Sequence, residues 1–352
     1  MKRDQVTLIT NEVSRRRFLK YAGAFGLAAA SGGLTHLATP QEASAQQLVA
    51  MSQQIGWFLN SQMAGDVIAV EKGYFKDAGI DMKIQPGGPA IDPVQVVAGG
   101  GTTFGNVASI GVLLNARAQG LPVKAWGTAL QKHPFAFIFY SGSGIKTPKD
   151  WEGKTVGVQP TARPLLEAVL KKHNVSKDKV KVVFVGGDTV PLATRQVDVI
   201  TGWIINAGQM NAAAQGGVVN YLRLWDLGIK MYAFTYFSTE QVLKEKKDVL
   251  VRFLSASAKG WLYARDHPEE AVEAVLKTGR GLDRKLELDT WKNMGPYLTS
   301  VATKQYGWGH MDPKVWKDLA DVYLDLQQIT RPVTPDEVMT NEIWQAAKLP
   351  KV

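Results

Sequence analysis

Residues 55–105 read IGWFLNSQMAGDVIAVEKGYFKDAGIDMKIQPGGPAIDPVQVVAGGGTTFG, and this stretch decides the fold. An aromatic and polar loop, Trp57, Asn60 and Gln62, leads into a segment where Val67, Val70, Tyr74 and Ala78 recur at helical spacing. Gly79 can turn left-handed and end that helix. A strand is expected over 81–85, then the loop Gly87-Gly88-Pro89 and a second helix around 94–98. Strand–helix–strand winding of this kind builds an α/β layer. It gathers Gly-rich and polar loops at the carboxyl ends of strands, where open α/β sheets bind ligands.

Downstream the alternation continues. A short strand begins at 103–105, a helix covers 109–119 and closes at Gly120, and 123–130 is a strand. The apolar run FAFIFY, 135–140, reads as a buried strand, and Ser141-Gly142-Ser143-Gly144 breaks the pattern. The chain is therefore expected to leave a first lobe near 138–145. Strands at 155–158, 180–185 and 197–203, with helices at 165–173 and 191–196, then form a second lobe. The apolar run 231–237 reads as the return crossing, near 230–237, and the remainder is helical. The expected division is 46–140 plus 233–352 for lobe 1 and 141–232 for lobe 2. A chain of roughly 300 residues suits two lobes better than one core.

The first 45 residues read differently. Ser14-Arg15-Arg16-Arg17-Phe18-Leu19-Lys20 fits a twin-arginine export motif through Arg15 and Arg16. The stretch 21–41 lacks Asp, Glu, Lys and Arg, and Ala43-Ser44-Ala45 offers a small-x-small cleavage site after Ala45. Its Gly, Ser and Thr content makes it a poor membrane span. The expectation is a cleaved signal peptide over 1–45, recognised by the Tat translocase, and a soluble periplasmic protein. Removing it takes away six Lys/Arg and three Asp/Glu, so the formal charge of +9 falls to +6. The chain has no cysteine, which excludes disulfides, a Cys-zinc site and thiol catalysis. No basic run interleaved with aromatics points to nucleic acid. His133, His173, His267 and His310 are widely spaced and read as surface or capping residues. Gly99-Gly100-Gly101 lacks both the dinucleotide and the P-loop pattern.

These stretches resemble the solute-binding proteins of ABC importers that take up alkanesulfonates and thiamine pyrimidine precursors, a family whose members also handle riboflavin, taurine or nitrate. The family's early Trp, its A-x-x-x-G-y-F-x-x-x-G-l-d-V run and its v-a-s-G-x-a-D-F-G run read here as Trp57, 69–81 and 97–105, with Thr103 where the family carries Asp. Residues 145–159 resemble its l-k-s-P-k-D-l-x-G-k-k-v-g-v segment, and 260–272 its G-w-x-y-a-x-x-x-P-e-e-A helix pair. The likeness covers nearly all of 48–275. It implies a type II periplasmic-binding-protein fold, two α/β lobes joined by two crossover strands, with a helical C-terminal tail. It further implies a monomer without cofactor or metal that performs no chemistry. Such a subunit captures a small heteroaromatic or nitrogenous nutrient, pyrimidine- or riboflavin-like, and docks on an ABC permease with its ATPase. Two alternatives stay open: a small anion such as an alkanesulfonate, taurine or nitrate, and an enzyme like the pyrimidine synthases that share the fold.

Each candidate ligand residue has two readings. Trp57 and Trp203 either sandwich a planar ligand or pack the lobes. Asn60 and Gln62 offer amide hydrogen bonds in the loop after the first strand. Gly88 precedes a helix, and Ser109 either bares a helix start to a ligand or is an ordinary N-cap. Thr161 caps the equivalent helix of lobe 2, and Arg163 either forks onto an anion or stays solvated. Asn206 matches the pyrimidine branch's G-a-y-x-N-x-E, but Gly208 stands where its acidic residue would be, which counts against the thiamine precursor itself. Tyr236 and Tyr232 lie on the return crossing and either reach the cleft or pack. The tail tryptophans Trp291, Trp308 and Trp316 are expected to close the core of lobe 1.

Overall fold

The computed structural model describes residues 47–352 apart from Pro89. The twin-arginine motif and the cleavage site after Ala45 lie outside the described residues. Among the described residues, ten strands form two five-stranded sheets. The strands are β1 (Val49–Ile55), β2 (Ile80–Gln85), β3 (Phe104–Val107), β4 (Val123–Leu130), β5 (Phe135–Tyr140), β6 (Thr155–Val158), β7 (Lys181–Phe184), β8 (Val199–Trp203), β9 (Val219–Arg223) and β10 (Ala233–Thr239). The first sheet has the order β2-β1-β3-β10-β4 and the second β7-β6-β8-β5-β9. In each sheet three neighbouring strands run parallel (β2, β1, β3 and β7, β6, β8), and antiparallel strands complete the edge.

The helices used below are α1 (Ala64–Glu71), α2 (Tyr74–Asp77), α3 (Pro93–Ala98), α4 (Gly111–Ala118), α5 (Arg163–Lys172), α6 (Ala207–Ala214), α7 (Lys247–Asp266) and α8 (Pro313–Asp325). The single helix expected over 67–78 is two. Gly73 takes a left-handed φ of 76° and breaks the i→i−4 ladder between α1 and α2. Gly79, at φ 71°, then hands the chain to β2.

The first crossing lies elsewhere than the sequence suggested. β5 pairs antiparallel with β8 and β9, so it belongs to the second sheet. The chain therefore crosses at 131–134, between β4 and β5, and the expected lobe boundary at 140 falls at the wrong end of β5. The apolar run of β5 reports burial on both faces and says nothing about which sheet supplies its partners. The return runs over 224–232, and β10 is already a central strand of the first sheet. The two crossings are tied together, since the His133 N–H donates to the Met231 carbonyl at 2.9 Å. β9 went unrecognised because its short VNYLR pattern carries little apolar signal.

Lobe 1 is held by a buried polar knot. Asp66, in the first turn of α1, is completely buried, as are Gln53 on β1, Tyr236 on β10, and Ser257 and Trp261 on α7. The Asp66 carboxylate accepts from Ser257 Oγ (2.5 Å), Tyr236 Oη (2.9 and 3.0 Å), Trp261 Nε1 (3.0 Å) and Gln53 Nε2 (3.1 Å). Burial pushes its pKa up, and the four donors oppose that shift. Four elements are thus joined at one carboxylate. Trp291, Trp308 and Trp316 are all buried in the core.

Candidate functional site

Chemistry is concentrated where the parallel strands of both sheets end. The loops after β1, β2 and β3 face those after β6 and β8 across a cleft of about 610 Å³. Lobe 1 contributes Trp57, Gly88 and Ser109 to its wall, and lobe 2 contributes Gln159, Thr161 and Trp203. One glycine makes the lobe 1 wall possible. A Cβ on Gly87 would sit 2.1 Å from the Ile55 carbonyl oxygen, so only glycine lets the loop after β2 close against that after β1.

Trp57 is 49% exposed and meets Phe58 edge to face, with centroids 5.2 Å apart. Trp203 is half-buried and fixed from several sides. Its N–H donates to Gln209 Oε1 at 2.9 Å, and Asn206 Oδ1 accepts from the Gln209 N–H at the start of α6. Its ring lies edge to face against His133 at 4.8 Å and tilted against Phe234 at 5.7 Å. Phe234 holds a left-handed φ of 50°, a strained backbone for an aromatic residue, at the head of the return strand.

His133 was expected at the surface or in a cap. It is 3% exposed, sits on the first crossing and lines the cleft. Nδ1 accepts from the Phe135 N–H at 3.2 Å, which assigns the proton to Nε2. Among the described residues Nε2 finds no partner within hydrogen-bond geometry, although the Ala108 carbonyl favours the charged form. Burial dominates and holds the imidazole down to about 3, so the ring is neutral across the physiological range.

Several sequence candidates lie away from the cleft. Tyr236 is fully buried in the Asp66 knot, because its hydroxyl finds its partners inside lobe 1. Tyr232 is buried too, its hydroxyl accepting from the Asp312 N–H at 2.8 Å. Asn60 accepts from the Gln62 N–H at 3.0 Å, and both residues border a separate small void beside Asn106. Asn206 acts as a helix cap. Arg163 pairs with Glu167 at 2.8 Å one turn along α5 and leans over Phe184, outside the cleft lining. Ser109 and Thr161 line the cleft but cap nothing: the N-cap positions are Ile110 for α4 and Ala162 for α5, neither with a side-chain cap.

The cleft also holds residues that sequence reasoning passed over. Gln95 on α3, Asn115 on α4 and Gln159 after β6 have side-chain amides with no protein partner among the described residues. Tyr323 and Gln328 reach the wall from the C-terminal segment. A helical-face count on α4 could have flagged Asn115, but nothing local marks Tyr323. Among the described residues the lining contains no Lys or Arg, and its one carboxylate, Asp92, caps α3 by accepting from the Val94 and Gln95 N–H groups at 2.8 and 3.3 Å. No group of three or more His, Cys, Asp or Glu among the described residues is placed to hold a metal ion.

Comparison with known proteins adds the following. The family model described as NMT1/THI5 like matches residues 60–271. A formylaminopyrimidine-binding protein of Halalkalibacterium halodurans is 26% identical over 247 residues, covering 69% of this chain and 73% of that protein. The riboflavin-binding protein RibY of Chloroflexus aurantiacus is 26% identical over 321 residues, covering 88% and 91%. A 4-amino-5-hydroxymethyl-2-methylpyrimidine phosphate synthase of Legionella pneumophila is 26% identical over 229 residues, covering 63% and 72%. The crystal structure of the periplasmic aliphatic sulphonate binding protein SsuA from Escherichia coli superposes with a TM-score of 0.65 at 17% identity, covering 85% of this chain and 99% of that one. The fold is therefore that of the two-lobed periplasmic binding proteins.

Proposed function

The chain belongs to the NMT1/THI5-like family, and from that premise we propose that it is the ligand-capturing subunit of an ABC importer, closing its lobes on an uncharged heteroaromatic nutrient of the pyrimidine or flavin type. One observation carries the reading. Trp57 and Trp203 reach the same cleft from opposite lobes, and no Lys or Arg lines it among the described residues. A flat ring between two indoles is held by dispersion and stacking, and the free amides of Gln95 and Gln159 answer its ring nitrogens and carbonyls. Contacts to both lobes favour the closed form, so ligand shifts a hinge equilibrium about 131–134 and 224–232. The closed form is what a permease with its ATPase would recognise. Relatives that bind a formylaminopyrimidine and riboflavin support the ligand class.

Binding is favoured over catalysis by what the cleft side chains are doing. The Asp92 carboxylate is occupied by a helix start, and burial leaves the His133 imidazole too weak a base to hold a proton near neutral pH, so no well-matched acid–base pair faces the ligand. The anion reading rests on the backbone at 109–111, where α4 begins in the cleft wall. Arg163 gives it no help. Export through the twin-arginine motif to the periplasm belongs to the same proposal, and a mature chain that does not start at Gln46 would count against it.

Tryptophan fluorescence of the purified 46–352 chain tests the reading, titrated with hydroxymethylpyrimidine, lumichrome, riboflavin, taurine and nitrate. Saturable quenching by at least one ring compound, with no response to the anions, is the expected result. Binding confined to taurine or nitrate and weakened by salt would overturn it.

A further inference from the structure

We propose that the cleft carries a second subsite, between α4 and the C-terminal segment, that takes an uncharged hydroxyl-bearing chain attached to the bound ring. The proposal rests on the ring-binding reading above and says what the rest of the ligand is. The wall facing the cleft includes Gly111 and Asn115 on α4 and Gln119 just past its end, successive positions four residues apart. At 1.5 Å rise per residue this stripe runs about 12 Å away from the loop end of β3. Tyr323, from α8, and Gln328 complete the groove.

The groove is built rather than incidental. A Cβ on Gly111 would lie 2.0 Å from Tyr323 Oη, so the tyrosine lies against the first turn of α4 only because that residue is glycine. Tyr323 is 8% exposed, and its hydroxyl has no hydrogen-bond partner among the described residues. The segment beyond it is pinned to α4, since Arg331 Nη2 donates to the Arg117 carbonyl at 2.7 Å. Gln328 Nε2 is taken by the Leu326 carbonyl at 3.2 Å, which leaves its Oε1 as an acceptor, and the amides of Asn115 and Gln119 have no protein partner among the described residues.

Amides and a phenol both donate and accept, as hydroxyls do, so this groove matches a polyol chain. It does not match a phosphate. Arg117 is turned to Glu240 at 3.1 Å and Arg331 to Glu337 at 2.9 Å, and neither lines the cleft. A dianion there would lose its hydration without a cation to replace it. The subsite therefore selects for the chain and against its phosphorylated form.

Three probes separate the subsite from the ring site: riboflavin (ring plus ribityl chain), lumichrome (the same ring without the chain) and riboflavin 5′-phosphate. Riboflavin is expected to bind at least tenfold tighter than lumichrome, with the phosphate ester weaker than riboflavin. Asn115→Ala and Gln328→Ala, each checked for an unchanged melting midpoint, should erase the riboflavin advantage and leave lumichrome affinity alone. Equal binding of riboflavin and lumichrome by the unaltered protein, or variants that weaken both alike, would overturn the subsite while leaving the ring site standing. Binding of neither flavin would remove the chain subsite, and a pyrimidine response in the same titration would show that ring binding itself survives.

Discussion

Two polar regions of lobe 1 differ in how they are satisfied. In the core, the Asp66 carboxylate is saturated by four donors from three other elements. Along the cleft, the side-chain amides of Gln95 and Asn115 meet no protein partner among the described residues. Both regions spend polar groups where apolar ones would pack more simply. The core network fixes one arrangement of β1, β10, α1 and α7. The cleft groups are left for something that arrives later. Hydrogen-bond satisfaction, more than polarity, separates a structural residue from one held for a ligand.

That contrast can be broken at the core end first. Asp66→Ala strands four buried donors and should cost about 3–5 kcal/mol of stability, measured by urea unfolding. Ligand affinity of the remaining folded fraction should be unaltered. His133, which stands between the two regions, gives a pH test. The unfolded chain protonates this imidazole near 6.5, whereas burial holds the folded one at about 3. Between those values the unfolded state binds more protons, so this residue lowers stability as pH falls from 6.5 toward 4, by at most about 3 kcal/mol. His133→Asn keeps an acceptor for the Phe135 N–H and should flatten that part of the unfolding-versus-pH curve; an unchanged slope would show that the imidazole is not buried neutral.

At the cleft end the effects fall on binding. Trp57→Ala should weaken the ring ligand by about 1.4–2.8 kcal/mol, tenfold to a hundredfold in Kd, with the melting midpoint unmoved because the side chain is half exposed. Trp203→Ala should weaken binding similarly and also lower the midpoint, since His133 and Phe234 pack on that ring. The smallest effect belongs to Arg163→Ala. Its partner is a surface glutamate, so stability should change by less than about 0.5 kcal/mol and affinity not at all. A large loss of affinity there would move the site toward the anion reading.

Much of the fold was legible because apolar runs and glycine stops are local signals. β4 and β5 stood out as strands, and Gly79 and Gly120 marked where helices end. Which sheet β5 joins was not legible, because its partners β8 and β9 come at least 60 residues later. Trp57 and Trp203 could be placed at the cleft since each stands where a parallel strand of its sheet ends. Tyr236 was misread for the opposite reason: its hydroxyl is answered by Asp66, 170 residues earlier, and a phenol on an apolar run gives no hint of that. Tyr323 reaches the cleft although it lies more than 200 residues after Gly111, and only packing against that glycine reveals it.

The position of β10 also orders events during synthesis. The second sheet uses only strands β5 to β9, one continuous stretch of 135–223, and is complete once that stretch has emerged. The first sheet has a gap between β3 and β4 that only β10 fills, so β4 has no neighbour until residue 239 is made. The stretch that begins first must wait, with β1, β2 and β3 able to pair but β4 and the open edge of β3 left without a partner while the later lobe folds. Chains truncated near 230 and released from the ribosome should resist protease over 135–223 and be cut within 49–130, and chains extended past α7 should be protected in both.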